Sequence, residues 1–293
     1  MSASADAFER ERPRLTALAY RMLGERAGAE DVVQDTWLRW AREDRAGVAD
    51  PGAWLRRAAT RLAIDALRSA RARREDYVGP WLPEPLLVQE GPETAFGLAQ
   101  EARLALVWAM ERLGPEERAA FILKDAFDAD YGEIAEILGK SEPACRQIVS
   151  RARARLKDGA PRFDAAEAEV AGLLGRFVEA AASADRAAAL ALFAPDVVAV
   201  SDGGGKARAA LRVLEGPEDV VTVLFAVMGK TGGLPNVRPV RANGAPALAL
   251  LDGSEQEMVA TLAPDADGRI AWLYVMRNPD KLAAARAAAE TVS

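Results

Sequence analysis

Hydrophobic residues recur every three to four positions from about residue 6 to residue 158, which is the spacing of α-helices with one buried face. Leu15, Leu18 and Met22 form the first such stripe. Two further stripes follow it: Val33, Trp37 and Trp40, then Leu55, Ala59, Leu62 and Ala66. The third begins after a helix start at Asp50–Pro51. Later helices are predicted at about 94–112, 115–126, 131–138 and 142–157.

From residue 160 the pattern changes. Ala-rich helices are predicted at about 165–183 and 185–193. Alternating apolar and polar residues then predict strands at 197–201, 207–214, 237–242, 247–251, 258–263 and 270–276. Asp252–Gly253 and Asp267–Gly268 are typical of turns between strands. Helices followed by about four to six antiparallel strands indicate a separate α+β domain.

The stretch YVGPWLPEPLLVQEGP, residues 77–92, interrupts the helical pattern with four prolines and two glycines. Proline disfavours helix, so this stretch is predicted to be an extended linker. Its residues Tyr77, Trp81 and Leu82 are apolar or aromatic, as are Leu86 and Leu87, whereas linkers are usually polar. An apolar linker is expected to lie on a protein surface.

The amino-acid composition excludes several classes of function. The 293 residues are 50% hydrophobic and 28% charged, as in ordinary globular proteins. Because there is no histidine, Ser/His/Asp catalysis, His-ligated metal sites and imidazole pH switches are excluded. The single cysteine, Cys145, forbids an intrachain disulfide. With neither a signal peptide nor an 18-residue apolar run, the sequence predicts a soluble cytoplasmic protein without membrane contact. Its residues indicate no cofactor and no metal site.

The formal net charge is −6, but basic residues are concentrated in two helices. Residues 56–74 hold seven arginines against Asp65, and residues 140–157 hold six basic residues against Glu142. The electrostatic potential near a bound phosphate backbone depends on these local basic clusters rather than on the net charge. The negative net charge therefore does not exclude nucleic-acid binding.

The stretch YGEIAEILGKSEPACRQIVSRARARLK, residues 131–157, has helix-turn-helix spacing. Gly139 permits the turn, Ser141 can cap the second helix, and Cys145 is interpreted as an interior residue. Residues that could reach base edges are Arg146, Gln147 and Ser150, and residues suited to phosphates are Arg151, Arg153, Arg155 and Lys157. The alternative is an ordinary helical hairpin with a solvated basic face.

Two other stretches carry surfaces of distinct chemistry. In AWLRRAATRLAIDALRSARARR, residues 53–74, one face presents Arg57, Arg61, Arg68 and Arg71, and Trp54 could stack on a base. The alternative is a solvated face in which Asp65 pairs with Arg61 and Arg68. In GAEDVVQDTWLRW, residues 28–40, one face carries Asp31, Gln34, Asp35 and Leu38, and the other carries Val33, Trp37 and Trp40. The first face suits a basic partner helix, and its alternative is a solvated acidic face.

Taken in order, these pieces resemble the extracytoplasmic-function sigma factors of bacterial RNA polymerase. The resemblance implies that the protein binds core polymerase, at the β′ clamp helices and the β flap, and promoter DNA. The implied core-polymerase residues are Asp31, Gln34, Asp35, Trp37 and Leu38. The implied −10 residues are Trp54, Arg57, Arg61, Asp65, Arg68 and Arg71, and the helix-turn-helix would read the −35 element with Arg146, Gln147, Ser150, Arg151, Arg153 and Arg155. Many members have Asn where this chain has Arg61, so its −10 preference is expected to differ.

Three patches resemble the signatures of the subgroup with a fused SnoaL-like domain: YVGPWLPEPL (77–86), DGGGK (202–206) and NPDKL (278–282). That domain is an α+β cone of the kind also seen in nuclear transport factor 2, and in this subgroup it is implied to act as a built-in regulator. The implied interdomain residues are Tyr77, Trp81, Leu82, Asp202, Gly203, Gly204, Gly205, Lys206, Asn278, Pro279, Asp280 and Lys281. The expected domains are sigma domain 2 (1–76), linker (77–95), sigma domain 4 (96–158) and SnoaL-like domain (160–293).

Three rival functions stay open from the sequence alone. The cone could be an enzyme that uses Asp196, Asp202 or Asp252 with Tyr274, although no feature requires catalysis. It could instead sense a small-molecule ligand in its pocket while the chain keeps sigma activity. The helix-turn-helix could also belong to a repressor, but the polymerase-contact motif argues against that.

Overall fold

A computed structural model describes residues 3–43, 47–87, 99, 102–157, 165–231 and 237–290. These residues divide into two compact units. Unit one holds residues 3–76, 99, 102 and 107–157, and unit two holds residues 77–87, 103–106 and 165–290. The linker residues 77–87 therefore group with the C-terminal part of the chain.

The helices that begin in the first half are α1 (Ala3–Leu23), α2 (Arg26–Arg42), α3 (Pro51–Arg74), α4 (Leu104–Ala109), α5 (Pro115–Ala126), α6 (Tyr131–Leu138) and α7 (Glu142–Lys157). The predicted start of α3 is confirmed, because the Asp50 side chain accepts a hydrogen bond from the Ala53 N–H at 3.1 Å and Pro51 occupies the first turn. Within the predicted helix 94–112, α4 is followed by a short 3₁₀ turn, Met110–Arg112, and residues 94–98, 100 and 101 lie outside the described residues.

The predicted hydrophobic stripes of the first three helices supply part of the core that joins them, but Trp37, Leu62 and Ala66 are only half-buried. On α3 the buried residues beyond Ala59 include Ala63, Ile64 and Leu67. Leu15, Leu18 and Met22 are fully buried, as are Leu55 and Ala59. Burying each large aliphatic side chain contributes about 1.5–3 kcal/mol, which is what holds the three helices together. In unit one, α3 also packs against α5 and α6.

Unit two consists of helices and one sheet. Its helices are α8 (Glu167–Ala182), α9 (Arg186–Leu192), α10 (Pro217–Thr231) and α11 (Pro279–Glu290). Its strands are β1 (Phe193–Asp202), β2 (Leu214–Glu215), β3 (Arg238–Ala242), β4 (Ala245–Leu250), β5 (Met258–Pro264) and β6 (Ile270–Met276). A hydrophobic core between the helices and the sheet includes the rings of Phe177 and Phe193, whose centroids lie 6.1 Å apart. The predicted α+β class is confirmed.

The strand order is β2-β1-β6-β5-β4-β3, and β1 and β6 run parallel. The prediction of a wholly antiparallel sheet is therefore wrong for this pair. The other neighbours are antiparallel. A parallel pair needs a crossover connection. Here the chain supplies one by passing through α10 and then the β3–β5 meander before β6 returns beside β1.

The predicted strand 207–214 is also wrong, because only its last residue joins the sheet, in β2. The residues that precede β2 are held instead by hydrogen bonds to side chains of other segments. Ala210 N–H donates to Ser201 Oγ at 2.8 Å, and Arg277 donates to the Arg208 carbonyl at 2.8 Å. The pattern also missed α10 and α11, since α10 is nearly continuously apolar and α11 is dominated by alanine.

Among the residues that the structure describes, no helix combines the length and the apolar character that crossing a membrane requires.

Candidate polymerase, promoter and linker sites

Helix α2 separates its two predicted faces. Asp31, Gln34 and Asp35 are exposed, and Leu38 is 42% exposed. On the opposite side Val33 and Trp40 are buried. Trp37 is half-buried, with its ring centroid 5.0 Å from that of Phe8. The exposed face combines two carboxylates, an amide and an apolar side chain, which is the chemistry predicted for a basic partner helix.

The arginines of α3 contact the other helices of unit one. Arg61 donates from Nε to the Ile137 carbonyl at 3.0 Å and from Nη2 to the Glu136 carbonyl at 2.8 Å. Arg57 pairs with the Glu136 carboxylate, and Arg56 pairs with Glu133 at 2.8 Å. All three contacts end on α6, the first helix of the helix-turn-helix.

Further along α3, Arg68 pairs with Asp65 at 3.1 Å and with Glu116 at 3.0 Å. Arg71 donates to the carbonyls of Glu111 at 3.1 Å and Leu113 at 2.5 Å. The predicted pair between Asp65 and Arg68 is therefore present, whereas Arg61 bonds backbone carbonyls. The sequence indicated none of the contacts to α5 and α6, because they join residues some 40 to 80 positions apart.

Trp54 lies against a second tryptophan rather than standing free. Its ring centroid is 5.2 Å from that of buried Trp40, and its own side chain is half-buried. In this structure only part of the Trp54 ring is available for stacking on a base.

A buried ion cluster in unit one joins Glu111 to two arginines. Glu111 pairs with Arg74 at 2.7 Å and with Arg118, whose side chain is 0% exposed. Arg118 also donates to the Arg21 carbonyl at 2.9 Å. Burial alone raises the pKa of Glu111, but the charges of Arg118 and Arg74 outweigh it and hold the pKa below its usual range. The sequence analysis did not predict this cluster. Arg118, a charged residue among the apolar positions of α5, could have indicated it.

The helix-turn-helix forms as predicted. Gly139 ends α6 in the left-handed region at φ 64°, and Ser141 Oγ accepts a long hydrogen bond from the Ala144 N–H at 3.4 Å. The residues buried between the helices are Ile134, Ile137, Cys145 and Ile148. Leu138, the last residue of α6, is only half-buried. Cys145 is interior as predicted, and its burial raises the pKa of the thiol.

The basic face of α7 borders an open groove of about 330 Å³ lined by Tyr131, Arg146, Ser150, Arg153, Ala154 and Lys157. The Arg146 guanidinium lies 4.8 Å from the centre of the Tyr131 ring. Arg153 pairs with Asp125 at 2.9 Å, and this hydrogen bonding raises the pKa of Arg153. Arg155 pairs with Glu117 at 2.7 Å. Gln147 and Arg151 are exposed on the same helix.

In unit two the linker surrounds a fully buried carboxylate, Asp202, at the end of β1. Its Oδ1 accepts from the Tyr77 hydroxyl at 2.6 Å and from the Gly204 N–H at 2.9 Å. Its Oδ2 accepts from the Leu82 N–H at 3.0 Å and from Lys281 Nζ at 2.8 Å. Four donors thus compensate the loss of water around this charge.

Lys281 and Asn278 complete the cluster from the start of α11. Lys281 Nζ also donates to the Leu82 carbonyl at 2.6 Å and lies 4.3 Å from the centre of the Trp81 ring. Asn278 Nδ2 donates to the Tyr77 hydroxyl at 2.8 Å. Pro279 begins α11, and the exposed Asp280 pairs with Lys206 at 2.5 Å. The three separate sequence patches therefore meet around one buried ion pair, which we call the Asp202 cluster (Tyr77, Leu82, Asp202, Asn278 and Lys281).

The glycines of DGGGK are required by close approach. A Cβ on Gly203 would lie 2.1 Å from the Ala207 carbonyl oxygen. Gly204 has φ +60°, and a Cβ there would lie 2.3 Å from Asn278 Nδ2. Gly205 follows at φ +71°. The Gly204 N–H can therefore donate to Asp202 only if these positions carry no side chain.

The second half of the linker pairs with the sheet. Leu86 N–H donates to Asn243 Oδ1 at 2.8 Å, and the Asn243 N–H donates to the Leu86 carbonyl at 2.9 Å. The Tyr274 hydroxyl donates to the Pro83 carbonyl at 2.8 Å. Leu82 and Leu86 are buried. The sequence predicted that the apolar linker lies on a protein surface, but it did not predict that Asn243 bonds the linker. It considered Tyr274 only as a catalytic partner.

A cavity in unit two measures about 10 Å³, room for about one water molecule. It is lined by Arg103, Leu104, Ala105, Val170, Ala242, Ala245, Thr261, Leu262, Ala263, Pro264 and Trp272. None of the three candidate catalytic carboxylates, Asp196, Asp202 and Asp252, lines this cavity. Asp196 and Asp252 are exposed, and Asp202 is occupied by the four donors described above.

The Sigma-70 region 2 model matches residues 7–73, and the Sigma-70, region 4 model matches residues 103–156. The chain is 39% identical to the ECF RNA polymerase sigma factor SigJ of Mycobacterium tuberculosis, over 94% of this chain and 91% of SigJ. It is 30% identical to the probable ECF RNA polymerase sigma factor SigI of the same species, over 96% of this chain and 95% of SigI. The crystal structure of M. tuberculosis SigJ matches with a TM-score of 0.76 and 33% identity, covering 95% of this chain and 98% of that one.

Two helical sigma regions followed by a mixed-sheet α+β domain of SnoaL-like type define the class of this protein. The chain belongs to the ECF RNA polymerase sigma factors, which are non-enzymatic initiation factors that bind RNA polymerase and start transcription at promoters. The resemblance predicted from the sequence is confirmed.

Proposed function

We propose that the protein acts in the cytoplasm and binds core polymerase through the exposed face of α2, at the β′ clamp helices. In this proposal α3 reads the −10 element. The helix-turn-helix reads the −35 element while the β flap of the polymerase binds the helix-turn-helix. Sigma domain 2 would span residues 1–76, the linker 77–95, sigma domain 4 residues 96–158 and the SnoaL-like domain 160–293. The separation of acidic and buried faces on α2 supports the polymerase role.

We further propose that the SnoaL-like domain regulates the sigma regions of its own chain. The observation that carries this proposal is the Asp202 cluster, in which Asp202 and Lys281 bond the linker backbone at Leu82. A linker held at this point has less freedom than a free connector. Holding it would limit how far sigma domains 2 and 4 can separate to span two promoter elements.

The test compares the full chain with a chain ending at residue 159 and one ending at Lys206. The longer truncation keeps the DGGGK turn but lacks Asn278 and Lys281, so it cannot form the Asp202 cluster. We expect the two truncations to differ from the full chain and from each other in core binding and in promoter initiation. If all three proteins behave alike in both assays, the domain does not regulate.

A small-molecule sensor in the SnoaL-like domain receives no support from the cavity, since about 10 Å³ cannot hold a metabolite. The proposal rests on the Asp202 cluster and needs no ligand.

Charge reversal on α2 should weaken core binding without unfolding the domain. Asp31 and Asp35 are exposed, so Asp31→Arg with Asp35→Arg should cost at most a few kcal/mol of binding free energy, chiefly through lost electrostatic complementarity. The measurement is affinity for core polymerase by fluorescence titration. The control is Glu43→Arg, an exposed position just beyond α2. Unchanged affinity in the double variant would remove α2 from the polymerase interface.

Substitutions on α7 should separate base reading from phosphate binding. Arg146→Ala or Gln147→Ala should relax preference at one base pair by about 1–3 kcal/mol. Arg146→Lys keeps the charge and should also relax preference, since it loses the planar two-donor group. Arg153→Ala should weaken all sequences alike and flatten the salt dependence. Holoenzyme binding to a panel of −35 variants provides the measurement, and identical profiles for all four variants would place the reading face elsewhere.

A further inference from the structure

Arg146, the first of the proposed base-reading residues on α7, is held from two sides. Its Nη2 donates to Glu142 Oε2 at 2.9 Å, one helical turn earlier. Its guanidinium carbon lies 4.8 Å from the centre of the Tyr131 ring, at the start of α6. The Arg146 side chain is nevertheless 54% exposed. It can therefore reach a partner outside the protein, but its two contacts restrict the orientation of its guanidinium group.

The two residues that hold Arg146 are fixed by their own surroundings. Tyr131 is the first residue of α6, and Asp130 caps this helix by accepting from the Glu133 N–H at 2.7 Å. The ammonium group of Lys124, on α5, lies 5.4 Å from the centre of the Tyr131 ring. Glu142 occupies the first turn of α7, where the helix dipole favours a carboxylate. Contacts from three helices thus set the position of one guanidinium group.

The orientation of an arginine matters more for base preference than for affinity. Two parallel hydrogen bonds to a guanine form only when the guanidinium plane is aligned with the base. A side chain that rotates freely loses more entropy on binding, and at a mismatched site it can turn to a phosphate oxygen instead. A held guanidinium has fewer alternative acceptors at the wrong base. Holding it therefore widens the difference between matched and mismatched sites.

We propose that Tyr131 and Glu142 are positioning residues that set the base preference of the helix-turn-helix by orienting Arg146. Neither of them has to contact a base edge. The ring attracts the guanidinium group, and the carboxylate disfavours a DNA phosphate beside it, because like charges repel. The inference deepens the proposed −35 role of α7 and rests on it.

Removal of the aromatic ring should affect one base pair. Tyr131→Leu keeps an apolar side chain but should lower the preference at the base pair read by Arg146 by about two- to fivefold. Preference at the base pair read by Gln147 should stay unchanged. Tyr131→Phe keeps the aromatic face and should keep a preference close to that of the wild type. This rescue separates positioning from a role of the Tyr131 hydroxyl group.

Removal of the carboxylate should move preference and affinity in opposite directions. Glu142→Gln should lower the same preference by about twofold. It should also raise the affinity for all sequences, because a negative charge near the phosphate backbone is lost. Loss of folded structure would lower both quantities. The matched control is Glu9→Gln, which removes the same charge from an exposed intrahelical pair with Arg12 on α1 and should change neither.

The experiment measures binding of the holoenzyme to a panel of −35 variants and to non-specific DNA, and circular dichroism monitors folding. Each variant is also combined with Arg146→Ala. Because Tyr131 and Glu142 act through Arg146, their variants should change base preference no further in that background.

Two results would overturn the inference while leaving the −35 role intact. One is that Tyr131→Leu weakens matched and mismatched sites by the same factor, which would make Tyr131 a backbone contact. The other is that Tyr131→Leu and Glu142→Gln both keep the wild-type preference although Arg146→Ala loses it. A wild-type preference in Arg146→Ala itself would instead refute the proposed reading role of Arg146, and this inference with it.

Discussion

Replacing Asp202 by asparagine should lower the free energy of unfolding of unit two by about 3–5 kcal/mol and release the linker. The carboxylate is 0% exposed and accepts from four donors, one of which is the ammonium group of Lys281. Asparagine cannot accept from all four, and it leaves the buried Lys281 charge uncompensated. Chemical denaturation measures the loss, and hydrogen exchange at the Leu82 amide reports the release of the linker.

The matched control is Asp280→Asn, which removes an exposed charge paired with Lys206 in the neighbouring turn. It should change stability by no more than about 0.5 kcal/mol. The double variant Asp202→Asn with Lys281→Met should recover part of the loss, because it removes both charges of the pair. If Asp202→Asn resembles Asp280→Asn in stability and exchange, the Asp202 cluster does not hold the linker.

Replacing Glu111 by glutamine should destabilise unit one by about 3 kcal/mol, since it leaves the fully buried Arg118 without a negative partner. The free energy of unfolding should also depend on pH differently in the wild type and in Glu111→Gln. The pKa of Glu111 is depressed in the folded state, so its stabilising contribution is complete above its unfolded value of about 4.3. That contribution is lost as the pH falls through the lower folded value.

Denaturation of the wild type and Glu111→Gln should therefore give a large difference near pH 7 that shrinks as the pH falls below about 4. Asp128→Asn is the control, because its side chain is fully exposed and asparagine tolerates the positive φ of 50° there. A constant difference between wild type and Glu111→Gln across this range would show that the charge of Glu111 is not the stabilising feature.

Local patterns predicted the features that depend on neighbouring residues. The left-handed turn needs a residue such as Gly139, the second helix needs a cap such as Ser141, and both lie within a few positions of the helices they join. The exposed face of α2 followed in the same way from helical spacing. The burial of Leu82 and Leu86 followed from their apolar character in a linker stiffened by proline.

Partners distant in sequence could not be predicted in the same way. Nothing near Leu86 indicates that its backbone bonds Asn243, and nothing near Arg61 indicates carbonyls at the end of α6. The parallel pairing of β1 with β6 likewise depends on the path of the whole chain. Such contacts are set by tertiary packing, which hydrophobic periodicity does not encode.

The central claim is that this chain directs core RNA polymerase to promoters, and run-off transcription tests it most directly. Purified core polymerase and the full chain are added to the DNA upstream of the protein's own operon. We expect a transcript with a defined start that requires the protein and is lost with Asp31→Arg and Asp35→Arg together. Absence of promoter-dependent initiation, both there and on neighbouring promoters, would contradict the assignment.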